Sequence, residues 1–469
     1  MVLTAGDALA QLDWSQDAVV FGTNAAEFSP QIVPIPNGQF RAFCLTDSQR
    51  IRTRLSSLRG EAWQAFADLH SDENLTQFWV AADSQYTFIF SSDGHLRRIS
   101  HSESNWEDNW GIAVLPSQTT ILKARLFVDS DFDQDESYLH GLVLYRNSQN
   151  ATLLDYFLSE DQAFSLSHLG TIDSAFAIQD SNASVSGAYT WTGDAERLWA
   201  AMSFDRPGST GPQVALYYSD DIGQSWSSRI TPDTSSYSQV APDISGFEET
   251  LVLTYQRRNS SSIANDIYST YSPDNGVSWS QPLQLTNHAF DDVKPSVVIS
   301  DEIIGLFYGR LQVQLQTGQI YTRTASLDEP WNWQPETEVC GNDDFIVDDG
   351  FHATRDQEGF AAVWTGRIVG EDGDVFFDAS WRGLSVIGEQ PESPSEVQLS
   401  PSSMHGMIEY RLPNTMPVKL QMYDILGRLV AEAALSGPRG VWAVPEQIAS
   451  GTYLLSAGDS SPILIQIAH

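Results

Sequence analysis

The chain runs to 469 residues, 41% hydrophobic and 11% aromatic, with 14 tryptophans, a length that exceeds one compact core and suits repeated sheet units plus a smaller domain. Its 61 acidic residues against 25 basic ones give a formal net charge of −36, and a surface that negative repels phosphate backbones, which excludes nucleic acid as a partner. No apolar run reaches the length of a membrane-spanning helix. Cys44 and Cys340 are too few for a disulfide framework and have no metal-ligand spacing, although an oxidising compartment would allow them to pair. Residues 1–14 lack the basic start and apolar stretch of an export signal.

In chain order, the run 17–21 comes first and is expected to return as the last strand of the final repeat unit, which would remove a free sheet edge. Apolar strands that end in an aromatic and then a polar turn follow at 40–43, 78–81, 142–145, 199–204, 251–255, 304–308 and 360–364, which counts seven units, with six as the alternative. Pro30, Pro242 and Pro295 are each followed two residues on by Ile32, Ile244 or Val297, a pattern expected where an innermost strand opens.

Downstream of these strands an eight-residue pattern, S-x-D-x-G-x-S-W, recurs. Ser219, Asp221, Gly223, Ser225 and Trp226 make one full copy; Ser272, Asp274, Gly276, Ser278 and Trp279 make the other. A third copy keeps Ser326, Asp328 and Trp333 but has Pro330 and Asn332, and a fourth keeps Ser159, Asp161 and Ser165 with Ala163 and Leu166 substituted. The copies start at 159, 219, 272 and 326, intervals of 60, 53 and 54 residues, the period of radially repeated sheets whose units cannot bury both faces alone. The first unit carries a worn version at Ser56, Gly60 and Trp63, the second at Ser91, Asp93 and Gly94, and the seventh only Ser380 and Trp381. A short carboxylate accepts hydrogen bonds from its own turn, glycine supplies positive φ, and tryptophan packs the turn on the neighbouring sheet, so the motif is expected to be structural. It resembles the Asp box, or BNR repeat, of sialidases and related propellers. That resemblance implies an all-β, seven-bladed β-propeller over residues 1–388, with each box between the third and fourth strands of a blade and away from the active site.

Arginines recur at the ends of second strands: Arg146, Arg206, Arg257, Arg310 and Arg367. Asp155 and Asp266 follow the first and third of these by nine residues and Asp374 follows the last by seven, which predicts ion pairs across hairpins. Arg206 and Arg310 have Ala215 and Gln319 at that offset, which makes them the candidates for binding an anionic ligand. The sialidase resemblance implies a three-arginine clamp on a substrate carboxylate. One clamp residue should open the first strand, where this chain has Phe28-Ser29-Pro30, so ordinary exo-sialidase activity is not expected. Alternating carboxylates at Asp129, Asp131, Asp133 and Asp135 offer oxygen ligands for Ca²⁺, but Gln134 and His140 stand where a helix-loop-helix calcium site needs glycine and glutamate. The clusters Asp291-Asp292, Asp343-Asp344 and Asp348-Asp349 are candidate hydrolytic pairs only if they face each other about 5–9 Å apart.

A Pro/Glu/Ser-rich stretch, 389–396, reads as a linker. Short strands at 407–412, 418–423, 429–434, 451–456 and 463–467 then read as a small β-sandwich over 397–469. Its segments Asp424-Ile425-Leu426-Gly427-Arg428 and Ser450-Gly451-Thr452-Tyr453-Leu454-Leu455 resemble the C-terminal sorting domain of the type IX secretion system, with Ser400-Pro401-Ser402 in place of the usual Pro-Asn-Pro and no lysine in the last strand. The resemblance implies a bacterial protein that is secreted or held at the cell surface, with the secretion machinery as a partner. The expected function is binding of an extracellular glycan or other polymer on the loops between second and third strands, and not typical exo-sialidase activity; whether any other catalysis occurs is left open by the sequence. The alternatives are a sialidase-like glycoside hydrolase or lyase with a divergent site, and a structural surface protein.

Overall fold

The computed structural model describes residues 14, 18–22, 26–36, 38–60, 62–69, 75–101, 112–115, 119–129, 138–174, 176–192, 195–205, 209, 211–258, 264–299, 303–312, 317–339, 350–355, 359–366 and 374–381. In the C-terminal part it describes 398–401, 407–411, 418–424, 428–435, 439–443, 445, 448, 451–457 and 463–467. Two compact units divide the chain, Met1–Gly383 and Leu384–His469.

Among the described residues, the first unit holds seven antiparallel sheets, each a meander in chain order. Sheet one is Glu27–Ile35, Gln39–Thr46, Ile51–Leu55 and Ala67–Leu69; sheet two is Phe78–Ala82, Tyr86–Ser91, His95–Ser100 and Ile112–Ala113. Sheet three is Thr120–Val128, Leu139–Arg146, Thr152–Ser159 and Ser167–Asp173. Sheet four has Val185–Thr192, Ala195–Asp205 and Pro212–Ser219, and an isolated bridge from Leu216 to Ile230 stands where a fourth strand would be. Sheet five is Ser238–Phe247, Thr250–Arg258, Asp266–Ser272 and Leu283–Gln284; sheet six is Asp291–Ile299, Ile303–Gln312, Thr317–Ser326 and Thr337–Glu338. Sheet seven is Phe351–Arg355, Gly359–Gly366 and Asp374–Trp381, and its fourth strand is Ala18–Phe21 from the start of the chain.

First strands of successive sheets touch from sheet one through sheet seven and back to sheet one. Apolar side chains fill the junctions between them: Phe43 with Phe78, Phe88 with Leu126, Tyr156 with Met202, Trp199 with Tyr255, Val252 with Ile304, Phe307 with Trp364, and Phe40 with Phe377. Each second strand is buried on both faces, which is why it reads as a continuous apolar run. A nearly all-β unit of three- and four-stranded antiparallel sheets in a closed circuit of contacts is consistent with a β-propeller.

Two expectations change. Residues 78–81 belong to the first strand of sheet two, and Ser91, Asp93 and Gly94 form the hairpin between its second and third strands, not a box between third and fourth. Pro30, Pro242 and Pro295 do not open their strands; they sit inside them at β-bulges, after Ser29, Ala241 and Lys294 with φ of 53°, 50° and 52°. A bulge leaves one residue without a ladder partner, which is where a residue lacking N–H costs no hydrogen bond.

The second unit contains a three-stranded sheet, Gln398–Pro401, Met407–Arg411 and Arg439–Ala443, and a four-stranded one, Leu429–Leu435, Val418–Asp424, Gly451–Ala457 and Ile463–Ile467. The strands at 398–401 and 439–443 are additional to those expected.

Candidate functional site

Antiparallel meanders put the turns between strands one and two, and between three and four, at one end of every sheet, and the turns between two and three at the other. The boxes occupy the first end. Asp221 accepts hydrogen bonds from Ser219 Oγ (2.7 Å), Ser225 N (2.8 Å) and Ser225 Oγ (2.6 Å), while Gly223 N donates to Ser219 Oγ at 2.8 Å. The Ser225 bonds, with help from Ser219, hold the Asp221 carboxyl below the usual range. Asp274 repeats the pattern with Ser272, Gly276 and Ser278.

Gly223 and Gly276, at φ of 80° and 79°, press on Tyr156 and Trp199 of the preceding sheet, where a Cβ would overlap the rings. Trp226 stands edge-on to Tyr156 at 5.4 Å and Trp279 to Trp199 at 6.1 Å. Trp63 of the worn copy meets Phe377 of sheet seven in the same way at 5.2 Å. The 159 copy keeps every bond of the pattern, with Ala163 held at φ 61° in place of glycine. The 326 copy does not, because Pro330 has no N–H to give Ser326; of the pattern only Asp328 N to Ser326 Oγ survives, at 3.3 Å. Trp333 still packs beside Val252 and Ile267.

At the other end the arginines are engaged differently from the expected hairpin pairs. Arg310 does face Gln319, yet its fork is filled: Nε and Nη2 reach Asp292 at 2.7 and 3.3 Å, and Nη1 and Nη2 reach Glu336 at 2.8 and 2.9 Å. Its plane lies over Tyr321 at 4.4 Å, and Tyr308 OH donates to Glu336 at 2.6 Å. The Arg310 hydrogen bonds bring Glu336 down to about 2. The premise that Arg310 lacks a carboxylate is therefore wrong, because its partners come from a neighbouring first strand and a later loop. Arg257 faces Asp266 in register but bonds Asp233 at 3.0 Å, where Tyr255 OH also donates at 2.9 Å. Arg146 faces Thr152 and pairs with Asp180 at 2.6 Å, while Asp155 takes Tyr145 OH and Thr171 Oγ1, both at 2.7 Å. Arg206 and Arg367 lie outside the described residues.

Asp129 is half-buried with its side chain only 6% exposed, accepts from Tyr138 N at 2.8 Å and lies 3.2 Å from His140 Nε2. His140 Nδ1 in turn meets Tyr156 OH at 2.7 Å. Asp131, Asp133 and Asp135 lie outside the described residues, as do Asp343, Asp344, Asp348, Asp349 and Cys340. Among the described residues no group of three or more His, Cys, Asp or Glu is placed to hold a metal ion. Cys44 is a free buried thiol, and burial pushes its pKa up.

The first strands carry polar groups that the sequence reading missed. Asp243 Oδ1 accepts from Ser186 Oγ of sheet four at 2.5 Å and its Oδ2 from Val297 N of sheet six at 2.8 Å; burial raises its pKa, opposed by the charge of Arg125 in sheet three. His352 of sheet seven, lowered to about 3 by burial and then by Arg125, stays neutral and accepts from Ile32 N at 3.4 Å. The available signal was position: Asp243, like Gln31 and Ser296, directly follows a strand proline.

Beside Arg146 opens a cleft of about 440 Å³, walled by the turn after the second strand of sheet three and by the connection that leads to sheet four. Asn147 Oδ1 accepts from Gln149 N and Ala151 N, each at 3.0 Å, which fixes that turn and holds Asn150 at φ 61°.

No family model matches the chain, and no curated protein matches it. Solved structures similar to it include a protein of unknown function from Dyadobacter fermentans, 12% identical over 80% of this chain and 100% of that one, with a TM-score of 0.46. A Hadza microbial sialidase is 13% identical over 76% of this chain and 66% of that one, at a TM-score of 0.42. The lectin of Aleuria aurantia is 9% identical over 69% of this chain and 98% of that one, at 0.39.

Proposed function

We propose that this is an exported bacterial protein that binds an extracellular glycan through a seven-bladed propeller and does not cleave sialic acid. The observation that carries the reading is the state of the second-strand arginines: the fork of Arg310 is spent on Asp292 and Glu336, Arg257 Nη1 is bonded to Asp233, and Phe28 stands where a clamp arginine would open the first strand. A sialic acid carboxylate would have to displace Asp292 or Glu336 from a partly desolvated pair. The same end of the sheets keeps an open cleft with both polar and apolar walls. Export would follow the type IX route, with the C-terminal unit as a sorting sandwich. Calcium in the 129–135 loop belongs to this reading and is tested by thermal melting, where no rise in Tm with the ion removes it.

The deciding experiment is the full chain on a glycan array beside fluorogenic sialosides. Binding without release supports the reading; release of sialic acid, or no glycan retained, sinks it. One observation favours a hydrolase as the second reading: Asp266, pushed up by burial and by the charges of Asp292 and Asp291, adjoins an Asp292 that Arg310 keeps paired. Neighbouring carboxylates in unlike environments are how acid and base are told apart. Turnover of aryl glycosides that disappears in Asp266→Asn is the result this alternative requires.

A further inference from the structure

We infer that the cleft beside Arg146 is a subsite for one uncharged sugar residue that presents two adjacent hydroxyl groups. The inference rests on the glycan-binding reading and gives it a place and a ligand class.

The cleft joins three chemistries that a pyranose ring uses together. Phe176 is half-buried against the core shared by sheets three and four, so it is fixed in position and still offers apolar surface to the C–H face of a sugar. Asn150 offers an exposed amide, with a donor and an acceptor, from a turn locked by Asn147. Arg146 is held in place by Asp180 at 2.6 Å and by the Ile178 carbonyl at 2.9 Å. A guanidinium and a carboxylate side by side present donors next to acceptors, and neighbouring hydroxyls, each a donor and an acceptor, match that spacing.

Charge decides between neutral and acidic sugars. Asp180 already balances Arg146, its side chain is 65% exposed, and the chain as a whole carries −36. A carboxylated sugar would have to displace Asp180 against that field, whereas a neutral one adds hydrogen bonds to the pair and leaves it intact. The contrast with Arg310 is one of access: that guanidinium is 7% exposed with both edges occupied, while the side chain of Arg146 is 25% exposed and lines an open cavity.

The test uses the full chain with methyl galactopyranoside, methyl mannopyranoside and methyl fucopyranoside as probes, and N-acetylneuraminic and glucuronic acids as comparators, measured by calorimetry at low and high salt. At least one neutral glycoside should bind, with an affinity that changes less than about twofold with salt. Phe176→Ala and Asp180→Asn should each weaken it about tenfold. Asn150→Gly, which keeps the φ of 61° without strain and removes only the amide, should weaken it too with no fall in Tm, which separates loss of contact from loss of fold. Preference for the acidic sugars with steep salt dependence overturns the inference. So does equal binding by wild type and all three variants, and in that case glycan binding itself stands but its site is elsewhere. No binding of any glycoside by the wild type, together with a blank array, removes both the subsite and the function it rests on.

Discussion

The two ends of the sheets solve the same problem of placing an acid near a turn, and they solve it in opposite ways. At the box end, Asp221 and Asp274 are satisfied within a span of seven residues by their own serines and backbone. At the other end, Asp292, Glu336 and Asp233 reach arginines 18, 26 and 24 residues away. A turn that closes on itself can be copied from sheet to sheet without regard to its neighbours, and it was. An acid that depends on another strand fits only one sheet, so each arginine at this end has found a different partner.

The comparison can be broken most forcefully at Arg310. Arg310→Met strands Asp292, whose side chain is fully buried, and should cost roughly 3–5 kcal/mol of stability. Arg146→Ala, with one exposed partner, should stay within about 1 kcal/mol in the same denaturant titration. Equal costs would mean that the two sites do not differ in the way described.

At the box end, Gly276→Val forces a Cβ into the Trp199 ring at a φ of 79°, an expected loss of roughly 3 kcal/mol or more. Ala163→Gly should go the other way, since that alanine is held at φ 61° and relief of the left-handed strain is worth about 1 kcal/mol. A destabilised Ala163→Gly variant would show that the alanine methyl contributes more in packing than the strain costs.

Sheet two lacks a box turn among the described residues, and His101 sits at that end instead, lowered to about 4 by burial and then by the charge of Arg41. Its neutral form is favoured by folding, so its contribution is present above pH 6.5 and is lost as pH falls from there towards 4. Over that window the loss is on the order of 3 kcal/mol. His101→Gln should flatten the stability-against-pH curve in this interval, and an unchanged curve would assign the slope to other groups.

The smallest contrast lies between two boxes. Asp221→Ala removes the acceptor for three hydrogen bonds and should cost about 1 kcal/mol, whereas Asp328→Ala, in the copy that Pro330 disables, should be close to neutral. Chemical denaturation of both variants measures the difference.

These contrasts also explain what was legible. The boxes at 219–226 and 272–279 could be read because the bonds they make are local and each residue type has one task. The same grammar misled at Ser91, Asp93 and Gly94, where Ser91 Oγ also donates to Asp93 at 2.7 Å, but the turn is a two-to-three hairpin braced by Arg97. Counting residues across a hairpin placed Gln319 opposite Arg310 and Asp266 opposite Arg257 correctly. It failed to name their partners, because a long guanidinium reaches past its opposite number to loops whose position only the folded circuit sets. The Asp243 group was hidden for the same reason, since its donors come from the first strands of two other sheets.

The strand Ala18–Phe21 completes a sheet whose other members are made last in this unit, with Ala18 opposite Phe377 and Phe21 opposite Val375. On the ribosome, the earliest of these residues must therefore wait, unpaired, until nearly everything up to Trp381 has been synthesised. Sheets one to six can assemble in order meanwhile, but the final zip is a long-range closure, slow to find and vulnerable before it is made.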